Sequence, residues 1–294
     1  MATEPTPSFK ESRRAGVISR VARMLPDSVL SHVYGFPSIQ RLVKRQLAHD
    51  GIPTRCELPV VSGALAGVYL DLRLPQDAPI WLGVYERWVQ KSLLKAILPG
   101  GVVWDVGAFA GNHTLLMASA VGSNGRVYAF EPDTDNRARL ATTIHRNSLG
   151  GNITVLPYAV LGRSGPADID ASDPRPACRR VVPMAGGPVP AYSLDSLAGM
   201  FGPPDLVKID VEGAEYDLLK SGGKNLLSSV KPKLLIECDR ESQVSITALL
   251  RDNGYRVTAR PRGSDYRDRR DGLTGPRHLI ASVAEGDAVT ASLG

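Results

Sequence analysis

The chain has 294 residues, 43% of them hydrophobic and 22% charged, with a formal net charge of +5. That is enough for one large globular domain with an extension, and it excludes a disordered or collagen-like chain. Aromatic residues make up 6%, and the three cysteines (Cys56, Cys178 and Cys238) form no CxxC pair, so neither a base-stacking nucleic-acid surface nor a zinc ribbon is indicated.

Residues from about Phe9 to Ala48 read as helical. Arg20, Arg23, Arg41, Lys44 and Arg45 punctuate Val17, Ile18, Val21, Met24, Leu25 and Val29 in a basic amphipathic pattern. Such a stretch suits a lid or a homodimer arm; a membrane-surface helix is the alternative, disfavoured by the short apolar face without Trp. Arg13-Arg14 is a twin-arginine pair, but Arg20 soon interrupts the stretch behind it. No apolar run reaches membrane-spanning length, so a cytoplasmic chain without a transmembrane segment is expected. Sparse cysteines fit the same reducing compartment. Residues 57–74 carry alternating runs such as Val68–Leu72 that suggest a hairpin. Glu86–Leu98 then places Trp88, Val89, Leu93, Leu94 and Ile97 at helical spacing, ended by Pro99-Gly100-Gly101.

From Val102 strands and helices alternate. Strands are expected at Val102–Val106, Arg126–Phe130, Ile153–Leu156, Leu206–Ile209 and Leu234–Glu237. Helices are expected at Thr114–Ala120, Asp133–Asn147, Leu194–Met200, from Glu215 to Lys220 and at Ser242–Asn253. Tyr255–Thr258 and His278–Ser282 have a charged loop but no helix between them and should pair as a hairpin. The stretch from Gly162 to Tyr192 is rich in Pro and Gly and reads as an irregular insertion carrying Arg175, Arg179 and Arg180: either a lid that meets an anionic acceptor or a solvated loop. The pattern predicts an α/β fold, a doubly wound, mostly parallel sheet closed by a C-terminal antiparallel hairpin, as in the class I methyltransferase variant of the Rossmann-like fold. Its expected divisions are a helical extension over 1–55, the main domain over 56–284 and a tail over 285–294.

Trp104-Asp105-Val106-Gly107-Ala108-Phe109-Ala110-Gly111 joins the first strand of this series to its helix, and Glu131 ends the next strand. Glycines let the backbone turn tightly and approach a ligand, and a carboxylate at the position of Glu131 can accept both hydroxyls of a ribose. A dinucleotide site would read GxGxxG and aim a helix N-terminus at a pyrophosphate. Here the spacing is DxGxxxG, and Asp105 would repel a pyrophosphate but suits the ammonium group of S-adenosylmethionine. A nicotinamide-dependent oxidoreductase is thereby the weaker alternative.

With these residues in view, the chain resembles the FkbM family of methyltransferases. The resemblance runs from Tyr85-Glu86 through Pro99-Gly100, Asp105-Val106-Gly107-Ala108, Gly111, Thr114 and Phe130-Glu131-Pro132. It continues with Tyr158-Ala159-Val160, Ser193–Leu197, the distinctive Lys208-Ile209-Asp210-Val211-Glu212-Gly213-Ala214-Glu215, and Leu235-Ile236-Glu237. Phe109 departs from the Asn usual in the family. The resemblance implies S-adenosylmethionine as methyl donor and O-methylation, often of sugars or other natural products. It also implies a cofactor site of Tyr85, Asp105, Gly107, Phe109, Gly111, Asn112, Thr114, Glu131, Ala159 and Asp210.

Ligands of doubly wound sheets bind at the carboxyl ends of the strands, where Glu131, Asp210 with Glu212, and Glu237 with Asp239 fall. An acceptor hydroxyl must lose its proton as it attacks the methyl, to a carboxylate or imidazole base or with help from a cation. Asp210, Glu212 and His113 are the candidate catalytic groups, with His145 a further candidate base. Asp210, Glu237 and Asp239 are candidate ligands for Mg²⁺. Glu215 reads as a helix N-terminal acid. The expected partner is a small hydroxylated substrate, a sugar or glycoside first and a polyketide or other natural-product hydroxyl second. The Asn/Asp-Pro-Pro-Tyr/Phe motif of nucleic-acid methyltransferases does not occur, and the acids at Asp210 and Glu237 argue against a non-catalytic binding module.

Overall fold

The computed structural model describes residues 13–49, 55–170, 172, 179–260 and 277–283. Three helices come first, α1 (Arg13–Met24), α2 (Asp27–Tyr34) and α3 (Pro37–His49), followed by the expected hairpin of β1 (Cys56–Pro59) and β2 (Tyr69–Leu72). Helices α4 (Ala78–Trp81) and α5 (Arg87–Ala96) lead into the alternating region. There the chain forms β3 (Val102–Val106), α6 (Asn112–Val121), β4 (Arg126–Phe130), α7 (Thr134–Arg146) and β5 (Ile153–Leu156). A smaller unit contributes β6 (Ala159–Val160), β7 (Gly165–Asp170), β8 (Arg180–Pro183) and β9 (Val189–Tyr192). The main series resumes with α8 (Leu194–Phe201), β10 (Leu206–Ile209), α9 (Glu215–Gly222), β11 (Lys233–Cys238), α10 (Arg240–Asp252), β12 (Arg256–Ala259) and β13 (Arg277–Ser282).

Seven strands make one sheet in the order β12-β13-β11-β10-β3-β4-β5. The pairs from β11 to β5 are parallel, whereas β13 runs antiparallel to both β11 and β12. Because side chains alternate across a strand, each strand feeds two cores. Val103, Val127, Ala129 and Leu235 face Val89 and Leu93 of α5 and Leu115, Leu116 and Met117 of α6. Trp104, Val106, Phe130, Val207, Ile209 and Ile236 face α8, α9 and α10. Truncating a fully buried side chain such as Leu115 to Ala costs about 3 kcal/mol in such a core. Side-chain caps set helix starts: Asp133 accepts from the backbone N–H groups of Asp135 and Asn136, Ser193 from Ser196, and Asp239 from Ser242.

The segment from Gly162 to Tyr192 corrects the expectation of an irregular insertion. Its described residues join β6 in a second sheet, ordered β6-β9-β7-β8. Strands β7 and β8 are largely exposed and interrupted by Pro166 and Pro183, so no apolar alternation marks them in the sequence. Arg175 and Cys178, most of the charged loop between Arg260 and Arg277, and the tail from 285 lie outside the described residues.

The N-terminal helices are tied to the main body. Ala15, Ala22, Leu30, Tyr34 and Leu47 are buried in the same core as β1, β2 and α5. Arg87 of α5 pairs with Asp27 at 2.7 Å and donates to the Ser31 hydroxyl at 3.0 Å. Val17, Val21 and Met24 stay exposed on α1. Among the described residues no helix is long and apolar enough to cross a membrane.

Candidate active site

The glycine turn sits against the end of β4. Gly107 and Ala108 both donate to the Phe130 carbonyl, and Asp210 donates to the Val106 carbonyl, which holds the loop after β3 against that after β10. Gly107 has φ +82, and a Cβ there would fall 1.9 Å from the Asp210 carbonyl oxygen; at Gly111, φ +93, it would fall 2.4 Å from Leu140 Cδ1. The Asp210 carbonyl leaves no room for a side chain at Gly107, and the positive φ at Gly111 strains any residue but glycine. Phe109 also holds a positive φ of 50°, which turns its N–H to Glu131 Oε2 at 2.7 Å.

Glu131 is buried at the carboxyl end of β4. Its other oxygen accepts from the Asp133 N–H at 2.9 Å. Burial pushes this carboxyl up to about 7, against the opposing pull of the Asp133 and Phe109 N–H groups. Asn112, opening α6, has a buried Nδ2 without a hydrogen-bond partner among the described residues. An orphaned donor, a turn with no room for a Cβ and a buried strand-end carboxylate form a cradle that fits an adenosyl ligand with ribose hydroxyls and a polar amino-acid end.

The neighbouring strands assemble a buried charge cluster. Register pairs Asp105 with Lys208 and Glu237 with His278. Lys208 Nζ lies 3.4 Å from Asp105 Oδ1 and 3.2 Å from Asp210 Oδ2. Thr114 donates to Asp105 Oδ2 at 2.6 Å. Burial alone would discharge Lys208, but Asp210 and Asp105 outweigh it and hold the ammonium charged. Asp105 is fully buried; its carboxylate is taken by Thr114 and Lys208, so it anchors the site from beneath. Asp210 keeps a 26% exposed side chain at the carboxyl end of β10.

Beside this pair stand Glu86, His113, Glu237 and His278. Glu86 caps α5 in a left-handed conformation, φ 46, with its carboxylate buried. Its Oε2 lies 3.4 Å from His113 Nε2, and His278 Nε2 lies 2.9 Å from Glu237 Oε2. Burial lowers the His113 pKa, leaving its imidazole neutral. Burial acts on His278 in the same sense, but Glu237 and Glu86 outweigh it and raise its pKa. Tyr85 stacks obliquely near His113, centroids 6.2 Å apart, and Trp88 near His278 at 6.3 Å.

Other expected residues fall elsewhere. Glu212 is exposed and has φ 56. Glu215 is buried and accepts from the N–H groups of Val211 and Gly213, fixing the turn before α9 as its helix-start reading implied. His145 is exposed in the last turn of α7, at the opposite end of the helix from the strand ends that build the site. Ala159 is buried in β6. Arg179 pairs with Asp133 at 3.0 Å, and the Arg180 guanidinium lies against Gly213, so the small sheet brings two arginines over the loops of the cleft. The expected Mg²⁺ set of Asp210, Glu237 and Asp239 does not converge. Asp239 is exposed and caps α10 through Ser242, and Asp210 is held by Lys208. Among the described residues, the donors that come within 4.8 Å of one another are those of Glu86, Glu237 and His278. Sequence reasoning gave no role to Glu86, Lys208 or His278; a lysine inside the apolar run Leu206–Ile209 was the available signal for one of them.

A mostly parallel sheet closed by an antiparallel strand, with a glycine turn after β3 and a carboxylate after β4, defines a class I methyltransferase fold. The methyltransferase FkbM domain description matches residues 105–257. Hexuronic acid methyltransferase AglP from Haloferax volcanii is 30% identical over 191 residues, covering 60% of this chain and 77% of the relative. Among solved structures, methyltransferase FkbM from Methylobacillus flagellatus KT is 17% identical and covers 70% of this chain and 54% of its own, with a TM-score of 0.44. A SAM-dependent O-methyltransferase from Thermotoga maritima is 14% identical, with coverage of 78% and 77% and a TM-score of 0.44. The chain belongs to the FkbM methyltransferase family.

Proposed function

We propose that this protein transfers a methyl group from S-adenosylmethionine to a hydroxyl oxygen of a small saccharide, with a hexuronic acid sugar as the leading acceptor. Bound S-adenosylmethionine supplies an electrophilic methyl group on a sulfonium. Glu131 accepts the ribose hydroxyls, and the backbone around Gly107 and Gly111 admits the ligand to close range. Tyr85, Phe109, Asn112, Thr114 and Ala159 complete the surrounding wall. Asp105 supports it indirectly by holding Thr114 and Lys208.

The observation that carries a hydroxyl acceptor is the group of bases beyond Asp210: neutral His113, Glu86, and the Glu237–His278 pair, all at one edge of the sheet. A hydroxyl has a proton to lose, and a side chain positioned to take it typically contributes about 100- to 10,000-fold in rate. Asp210, partly exposed at the carboxyl end of β10, takes that proton, with His113 and Glu212 as the other candidates. A hexuronic acid also offers a carboxylate, but methylation there needs no base, so these groups would have no part in it. The hydroxyl of a polyketide or other natural product is the second reading, because the same bases would serve it.

The test is transfer of a labelled methyl group to hexuronate-containing saccharides, followed by mild alkali. Label that survives alkali is an ether and supports the hydroxyl reading; label released as methanol marks an ester and overturns it. Running the assay with EDTA decides whether a cation assists.

A further inference from the structure

We infer that Glu86, Glu237 and His278 form a binding site for a single divalent transition cation of the Mn²⁺ class, at the acceptor side of the cleft. Three elements converge there. Glu237 ends β11, His278 stands opposite it on antiparallel β13, and Glu86 opens α5, with one donor atom from each within 4.8 Å of the others. Two carboxylate oxygens and one imidazole nitrogen suit Mn²⁺, Fe²⁺ or Zn²⁺ better than Mg²⁺, which favours an all-oxygen shell. Three protein donors leave coordination positions open, as catalytic rather than structural metal sites do.

One further observation points to a ligand at this locus. His113 is 7% exposed, and its Nε2 makes no hydrogen bond among the described residues although it faces Glu86 Oε2 at 3.4 Å. The locus also gathers the carboxylates of Glu86, Asp105, Asp210 and Glu237 beside Lys208 and His278 in a mostly buried region. Glu86 adopts a left-handed backbone to put its carboxylate there, a cost of about 1 kcal/mol or more that persists at functional sites.

The site rests on the proposed methyl transfer only for its role, which is to bind and polarise the acceptor oxygen; occupancy by the cation does not depend on that reading. The test is titration of Mn²⁺ into the metal-stripped full chain, followed by electron paramagnetic resonance of the free ion, with binding of S-adenosylhomocysteine measured in parallel. The wild type should bind one Mn²⁺, with Mg²⁺ competing at least about tenfold more weakly. Glu86→Gln and His278→Asn should each weaken Mn²⁺ by about tenfold or more while keeping S-adenosylhomocysteine affinity within about threefold. Asp239→Asn, which alters the helix cap alone, should leave Mn²⁺ affinity within about twofold. Undiminished free Mn²⁺ with the wild type, or equal affinity in Glu86→Gln and His278→Asn, overturns the site. Mn²⁺ binding without S-adenosylhomocysteine binding would sink the methyltransferase reading and leave the metal site standing.

Discussion

Glu131 concentrates the physics of the cofactor cleft in one carboxyl. Its pKa sits near 7 against an ordinary 4.5 because burial disfavours its charge. Between those values the cofactor-free native state keeps a proton that the unfolded chain has released. Stability from this group is therefore lost as pH rises through that window, by about 3 kcal/mol when complete. Glu131→Gln should flatten that slope; urea unfolding of both proteins at pH 5 and pH 8 checks it, and parallel slopes would contradict the assignment. Asp210 is the complementary case, held by Lys208 yet partly exposed. Asp210→Asn should lower turnover at saturating cofactor by at least about 100-fold in a single-turnover assay. Activity near wild type would remove it from proton transfer.

Among the elements, the turn between β3 and α6 is tightly constrained. Gly107→Ala would push a methyl group into the Asp210 carbonyl at a positive φ. A loss of about 2–3 kcal/mol is expected by chemical denaturation, with cofactor-product binding weakened in calorimetry. This turn, the strands around it and Glu131 were legible in the sequence because each signal is local: an apolar strand, glycines at fixed spacing, an acid at the strand end. The charge cluster was not. Lys208 meets Asp105, and Glu237 meets His278, only through strand register, and His278 lies 41 residues beyond Glu237. Asp239 parts from Glu237 for a related reason: it is near Glu237 in sequence, but the chain turns into α10 there and its carboxylate serves as the cap. Strands β7 and β8 carry no apolar period because of exposure and prolines, and β9 alternates buried and more exposed positions over only four residues, Val189–Tyr192.

Across the whole molecule, the N-terminal helices connect to the site through α5. Arg87 follows Glu86 directly, bonds the Gly83 carbonyl at 3.1 Å, and reaches Asp27 and Ser31 of α2. The extension thus steadies the loop that presents Glu86. Arg87→Met should cost about 1 kcal/mol in overall stability but reduce turnover severalfold; a stability loss without a change in kcat would disconnect the extension from the site.

An adenosyl sulfonium is proposed to sit at the loops after β3 and β4. Isothermal titration of S-adenosylhomocysteine into the wild-type protein and into Glu131→Gln tests it most directly. Saturable binding of one ligand per chain, weakened at least about tenfold by the substitution, is the expected result. Folded wild-type protein that takes up no S-adenosylhomocysteine, or takes up NADH in its place, would contradict it.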